Sequence, residues 1–173
     1  MPGITIEYTG NVVTNAFHGT SRESADTILK DGFRVSRDKN LFFGDGVYFF
    51  QGSPKEAYNF AANVWKYNPA VVLRSEIQLS RCLDLDTIEH RELIEFLEEE
   101  LLNSRAYTDV SLRFVINYLA EITTVHSVKK TVLLDPNPPH FIGSRGYSYT
   151  RTIIAVRKVS IIADTAEHPN PGR

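Results

Sequence analysis

Apolar positions follow two rhythms along this chain. Alternation and short unbroken apolar runs predict strands at 5–8, 12–18, 47–50, 70–79, 130–134 and 152–162. Helical spacing predicts helices at 22–30, 54–68, 87–104 and 109–125, the last carrying Val115, Leu119 and Ile122 on one face. The punctuation agrees with this division. Ser21 is placed to cap the first helix and Gly32 to end it. Ser53-Pro54-Lys55-Glu56 reads as a capping box with proline at the first helical position. Gly44 and Gly46 permit a tight turn into the strand 47–50. The order of elements predicts one α+β domain over 1–165, with the helical pair at about 87–125 as an insert packed on the sheets. The proline-containing tail, 166–173, is expected to be disordered.

Composition narrows the setting. At 173 residues and 42% hydrophobic, the chain can bury one sizeable core. Its single cysteine, Cys82, excludes an intramolecular disulfide and is expected at a strand end or in the core. No Cys/His cluster has metal spacing. A reducing compartment and no metal are expected. The start of the chain lacks a basic region followed by an apolar core, and no segment has the length of a membrane span, so a soluble, cytoplasmic protein without membrane contact is expected. The net charge of −2 hides two blocks. Residues 84–100 hold eight carboxylates against Arg91, the solvated face of a helix with Ile94, Leu97 and Leu101 inward. Residues 129–158 hold six cations against Asp135, around the final strand.

The candidate chemistry lies early. Phe17-His18-Gly19-Thr20 is followed by Ile28-Leu29, Gly32-Phe33-Arg34 and Phe43-Gly44-Asp45-Gly46-Val47-Tyr48-Phe49-Phe50. A flat cationic ring such as nicotinamide binds well between aromatic faces, and Tyr48 and Tyr58 are the candidate jaws. A carboxamide needs one donor and one acceptor at close range, which backbone without a side chain provides; Gly19 fits. An imidazole can orient a ribose hydroxyl, which assigns His18.

This ordered set, spanning Phe17 to about Ala61, resembles the NAD-binding half of the poly(ADP-ribose) polymerase-like, diphtheria-toxin-type ADP-ribosyltransferases. The resemblance implies a fold of two packed, mostly antiparallel β-sheets with flanking helices. It also implies NAD as co-substrate, with no metal. By position it gives His18 the nicotinamide-ribose 2′-hydroxyl, Gly19 the carboxamide, Thr20 the adenosine ribose, Tyr48 one face of the nicotinamide and Arg34 the adenosine side. The second stacking tyrosine is assigned to Tyr58, although a gapless count from Tyr48 reaches Asn59. The carboxamide-binding serine is assigned to Ser53, although the same count reaches Glu56.

The chain departs from the family at the third signature position. Polymer-forming members place a glutamate at the start of the last strand; this chain has Thr150-Arg151-Thr152. Losing that carboxylate removes a general base and an electrostatic partner, so a mono-ADP-ribosyltransferase is implied rather than a polymerase. Thr150 and Arg151 join His18 and Tyr48 as catalytic candidates. Glu76 and Glu121 are the other carboxylates considered, though both read as surface residues. The preceding loop, with Phe141, Arg145, Tyr147 and Tyr149, is where the family recognises its acceptor, here a protein or a single-stranded nucleic acid. The same aromatics can instead pin the loop to the core. A toxin or effector role, with an antitoxin or inhibitor protein as a further partner, is the implied context. Two other readings stay open on sequence: a catalytically inactive NAD- or ADP-ribose-binding or interaction domain, and an NAD glycohydrolase. RNA 2′-phosphotransferases share the His-Gly-Thr opening, but their arginine and histidine set has no match here.

Overall fold

The computed structural model describes Ile6 and residues 10–107, 110–133 and 150–169. Its strands are β1 (Asn11–Ser21), β2 (Val47–Gln51), β3 (Ala70–Leu79), β4 (Cys82–Asp84), β5 (Ser127–Leu133), β6 (Thr150–Val156) and β7 (Ile162–His168). Its helices are α1 (Arg22–Asp31), α2 (Pro54–Asn59), α3 (Ile88–Asn103) and α4 (Leu112–Ile122). The class is α+β, as expected. The strands form one seven-stranded mixed sheet in the order β4-β5-β6-β2-β1-β3-β7, antiparallel except for the β4–β5 pair. The two separate sheets expected from the resemblance are therefore hydrogen-bonded into one, through the two residue pairs Ala16–Gln51 and Phe17–Phe50 of β1 and β2.

Neighbouring strand residues face opposite sides of a sheet, and the core divides accordingly. One side gathers Ala16, Val47, Phe49, Ile77, Ile154 and Val156. On the other, Phe17, Phe50 and Val72 pack under Ala57 of α2. Further along that side, Val128 and Ala155 meet Leu97 of α3 and Val115, Ile116 and Leu119 of α4. The acidic helix buries Ile94, Leu97 and Leu101, the stripe that its pattern predicts. Ile122 of α4 is exposed, and Ile116 takes the buried place instead. Cys82 is buried at the start of β4, a strand too short to show a periodic signal.

Three boundaries differ from expectation for local reasons. The helix predicted over 54–68 is α2 followed directly by a π-helical turn, Phe60–Val64, closed by a bond from the Trp65 N–H to Phe60 O at 3.1 Å. The strand predicted over 152–162 is interrupted by a 3₁₀ turn at Val159–Ile161, which starts β7 on the far edge of the sheet beside β3. The tail expected to be disordered from 166 begins too early: β7 continues to His168, and Arg22 grips Glu167 through two bonds of 2.8 and 2.7 Å.

Candidate functional site

The β1–β2 ladder ends at Phe17 and Phe50. The Gly52 N–H donates to Asn15 O at 2.8 Å. In this register Asn15, Phe17 and Gly19 turn their backbone groups toward β2, while Phe50 and Tyr48 turn theirs toward β1. A continued ladder would join Gly19 to Tyr48 next. Instead His18 Nδ1 lies 2.8 Å from Tyr48 O. A carbonyl only accepts, so Nδ1 carries the proton and the neutral ring keeps its lone pair at Nε2. The imidazole thus spans the split, and Gly19, paired with Val72 of β3 on its other side, turns its N–H and C=O toward β2 beyond the end of the ladder.

Packing fixes both residues. The His18 ring meets Phe33 edge-on at 5.4 Å and Phe49 at 5.7 Å. Burial lowers its pKa below the usual 6.5, opposed by the weaker effect of the Tyr48 carbonyl. Gly19 lies directly under α2. An added Cβ would fall inside the van der Waals shell of Ala57 O, 2.7 Å from Ala57 C and 3.0 Å from Ala61 Cβ. Close crossing of helix and strand is a sufficient reason for glycine here. Thr20 is buried in the next position of β1, opposite Val71.

The side chain of Tyr48 turns the other way. Its ring lies parallel to Phe43 at 6.4 Å, and its hydroxyl accepts from the Phe43 N–H and donates to Gly44 O, each at 2.8 Å. Burial pushes the phenol up to about 12. The same loop is tied to α4 and to Arg157, just past the end of β6. Asn117 Oδ1 accepts from the Asp45 N–H at 3.0 Å and from Arg157 at 2.8 Å, and Arg113 pairs with the Asp45 carboxylate at 2.7 Å. Tyr58 belongs to the α2 cluster with Phe17 and Phe50. Among the described residues no ring contact joins Tyr48 to Tyr58. The structure therefore brings His18 to Tyr48 through a backbone carbonyl, and does not bring the two tyrosine rings together.

A second pairing was invisible in the linear pattern. Ser53 caps α2, its Oγ accepting from the Glu56 N–H at 3.4 Å, but the Glu56 carboxylate does not complete the capping box. It reaches across to Arg151 on β6 at 3.0 Å, with Arg151 lying over the Phe50 ring at 5.6 Å. The pair ties the start of β6 to the first turn of α2. Thr150 is exposed at the start of β6, and Arg34 is exposed after α1. Phe141, Arg145, Tyr147 and Tyr149 lie outside the described residues.

Among the described residues no group of three or more His, Cys, Asp or Glu is placed to hold a metal ion. None of their helices is long and apolar enough to cross a membrane. No protein-family model matches the chain, and no curated protein is significantly similar to it.

Proposed function

We propose that the chain is an NAD-dependent mono-ADP-ribosyltransferase with the ADP-ribosyltransferase fold, and that the β1–β2 split receives the nicotinamide end of NAD. The observation that carries this reading is the interrupted ladder, which leaves the Gly19 N–H and C=O side by side next to a neutral imidazole. The N–H can donate to a carboxamide oxygen and the C=O can accept from its NH₂, a pairing that fixes a planar amide in one orientation. His18, with Nδ1 committed to Tyr48 O, offers Nε2 as an acceptor for a ribose hydroxyl. Phe33 and Phe49 prevent the ring from turning away.

The reaction exchanges the C1′–N glycosidic bond of NAD for a bond from C1′ to one acceptor atom. Nicotinamide departs with the bonding electron pair, and the acceptor's proton passes to solvent. Positive charge develops on the ribose as the bond breaks, so a nearby carboxylate helps and a nearby cation hinders. By the resemblance, Thr150-Arg151-Thr152 falls where a polymer-forming enzyme carries its glutamate, and the missing carboxylate supports a single transfer over chain growth. The acceptor is a protein or a single-stranded nucleic acid, in the setting of a cytoplasmic toxin or effector.

The test is incubation with NAD labelled in its ADP-ribose half together with a cell lysate. Release of nicotinamide with labelling of a macromolecule is expected; the absence of both would refute the reading. Release without labelling would identify an NAD glycohydrolase. Two contacts favour a second reading, an NAD-binding domain without turnover: the Tyr48 ring is engaged by its own loop, and Glu56 is engaged by Arg151. Calorimetry showing NAD binding, with no nicotinamide released, would select it.

A further inference from the structure

We propose that a cavity beside the π-helical turn is a nucleotide site, taking a nucleobase on its tyrosines and a phosphate on Lys66. Its volume is about 360 Å³, and its lining includes Tyr58, Ala62, Lys66, Tyr67, Asn68 and Pro69. That volume is at the small end of ligand pockets, which run from about 300 to 1,000 Å³. It suits one nucleotide and is too small for a duplex.

The chemistry of the lining matches that ligand. Tyr67 lies parallel to Trp65 at 6.5 Å, and Trp65 meets Phe60 edge-on at 6.2 Å, so the rings form a braced aromatic row. Trp65 and Tyr67 remain 36% and 37% exposed, leaving ring surface for a further flat partner. Between them Lys66 holds a φ of 59°, a left-handed conformation that a non-glycine residue adopts only when its surroundings enforce it. Among the described residues no carboxylate pairs with Lys66, so its charge is available to a phosphate. Asn68 contributes one donor group and one acceptor, the requirement for reading a base edge. The π-helical turn supplies the geometry, since it widens the end of α2 just where these rings emerge.

Two sources could supply such a nucleotide: the adenosine half of a dinucleotide, or one residue of a single strand. The site's place admits both, because Ala70, also in the lining, pairs with Ser21 only two positions beyond Gly19 on β1. Trp65 is the sole tryptophan of the chain, so intrinsic fluorescence reports on this row directly. The whole chain is titrated separately with AMP, NAD and a short single-stranded oligonucleotide. Saturable quenching is expected, with affinity reduced about fivefold by Lys66→Asn, since asparagine tolerates the left-handed backbone while removing the charge. Tyr67→Leu should abolish the quenching without altering the circular dichroism spectrum. Tighter binding of the oligonucleotide than of AMP would assign the site to a strand; tighter binding of NAD would assign it to the co-substrate. Absence of quenching by all three, or quenching unchanged in both variants, would overturn the proposal. The proposal does not depend on ADP-ribosyl transfer: a chain that labels acceptors without any quenching keeps the transferase reading and loses this site.

Discussion

Gly19→Ala adds one methyl group where α2 crosses β1. The new Cβ would press on Ala57 O and lie 2.7 Å from Ala57 C. Both are backbone atoms, which cannot swing aside as a side-chain tip can. Either α2 lifts or β1 bends, and Ala61 Cβ at 3.0 Å blocks escape along the helix. Overpacking a core costs roughly 1–3 kcal/mol, and a clash with main chain belongs at the upper end, about 3 kcal/mol. A domain of this length loses about 2–4 °C of melting temperature per kcal/mol, so a fall of roughly 6–12 °C is expected. Thermal melting by circular dichroism measures it, and urea titration should show a lower midpoint at unchanged slope. Gly32→Ala is the control. Gly32 has a φ of 83° but nothing within 4 Å of an added Cβ, so only local backbone strain opposes alanine there, about 1 kcal/mol. A Gly19→Ala protein that melts within about 1 °C of wild type, or no lower than Gly32→Ala, would refute the tight crossing.

Three other outcomes follow from the site. Burial lowers the pKa of both His18 and His126 below 6.5, so at mildly acid pH the unfolded chain binds more protons than the folded one. Stability should therefore fall as pH drops below about 6.5, and His18→Gln should flatten part of that slope in urea melts; an identical slope would contradict the assignment. Asn117→Ala strips acceptors from the Asp45 N–H and Arg157 and should cost about 2–3 kcal/mol by urea titration, while speeding hydrogen exchange at the Phe43 N–H that Tyr48 holds. Unchanged exchange would show that this network does not anchor the loop. The Glu56–Arg151 pair has side chains 27% and 22% exposed, so solvent screening reduces its value to about 1 kcal/mol of coupling in a double-mutant cycle with Glu56→Gln and Arg151→Gln. Fully additive single mutants would exclude the pair as a working contact.

Much of the fold was legible because its signals are local. β3 opens on the buried apolar run Ala70–Leu73 and continues with Ser75, Ile77 and Leu79 buried at alternate positions, and both of its bounds agree with the expectation. The capping of α1 by Ser21, accepting from the Ser24 N–H, and its termination at Gly32 were also readable from residue type. The candidate site was legible as a set of residues but not as a geometry. His18 and Gly19 share an edge because a ladder stops, an event set by how far two strands diverge and not by any residue's propensity. Glu56 looked like half of a capping box, yet a partner 95 positions away captured it. Asn117, which holds the loop carrying Gly44 and Asp45, had no local signal at all. Trp65-Lys66-Tyr67 did carry one, an aromatic-cation-aromatic run that helical periodicity concealed.

The central claim is that the open edge of Gly19 receives NAD, and amide NMR of the isotopically labelled chain during an NAD titration tests it most directly. The Gly19 N–H resonance should shift saturably, together with those of His18 and Tyr48. Nicotinamide release, or NAD binding, that leaves the Gly19 resonance unmoved would contradict the account.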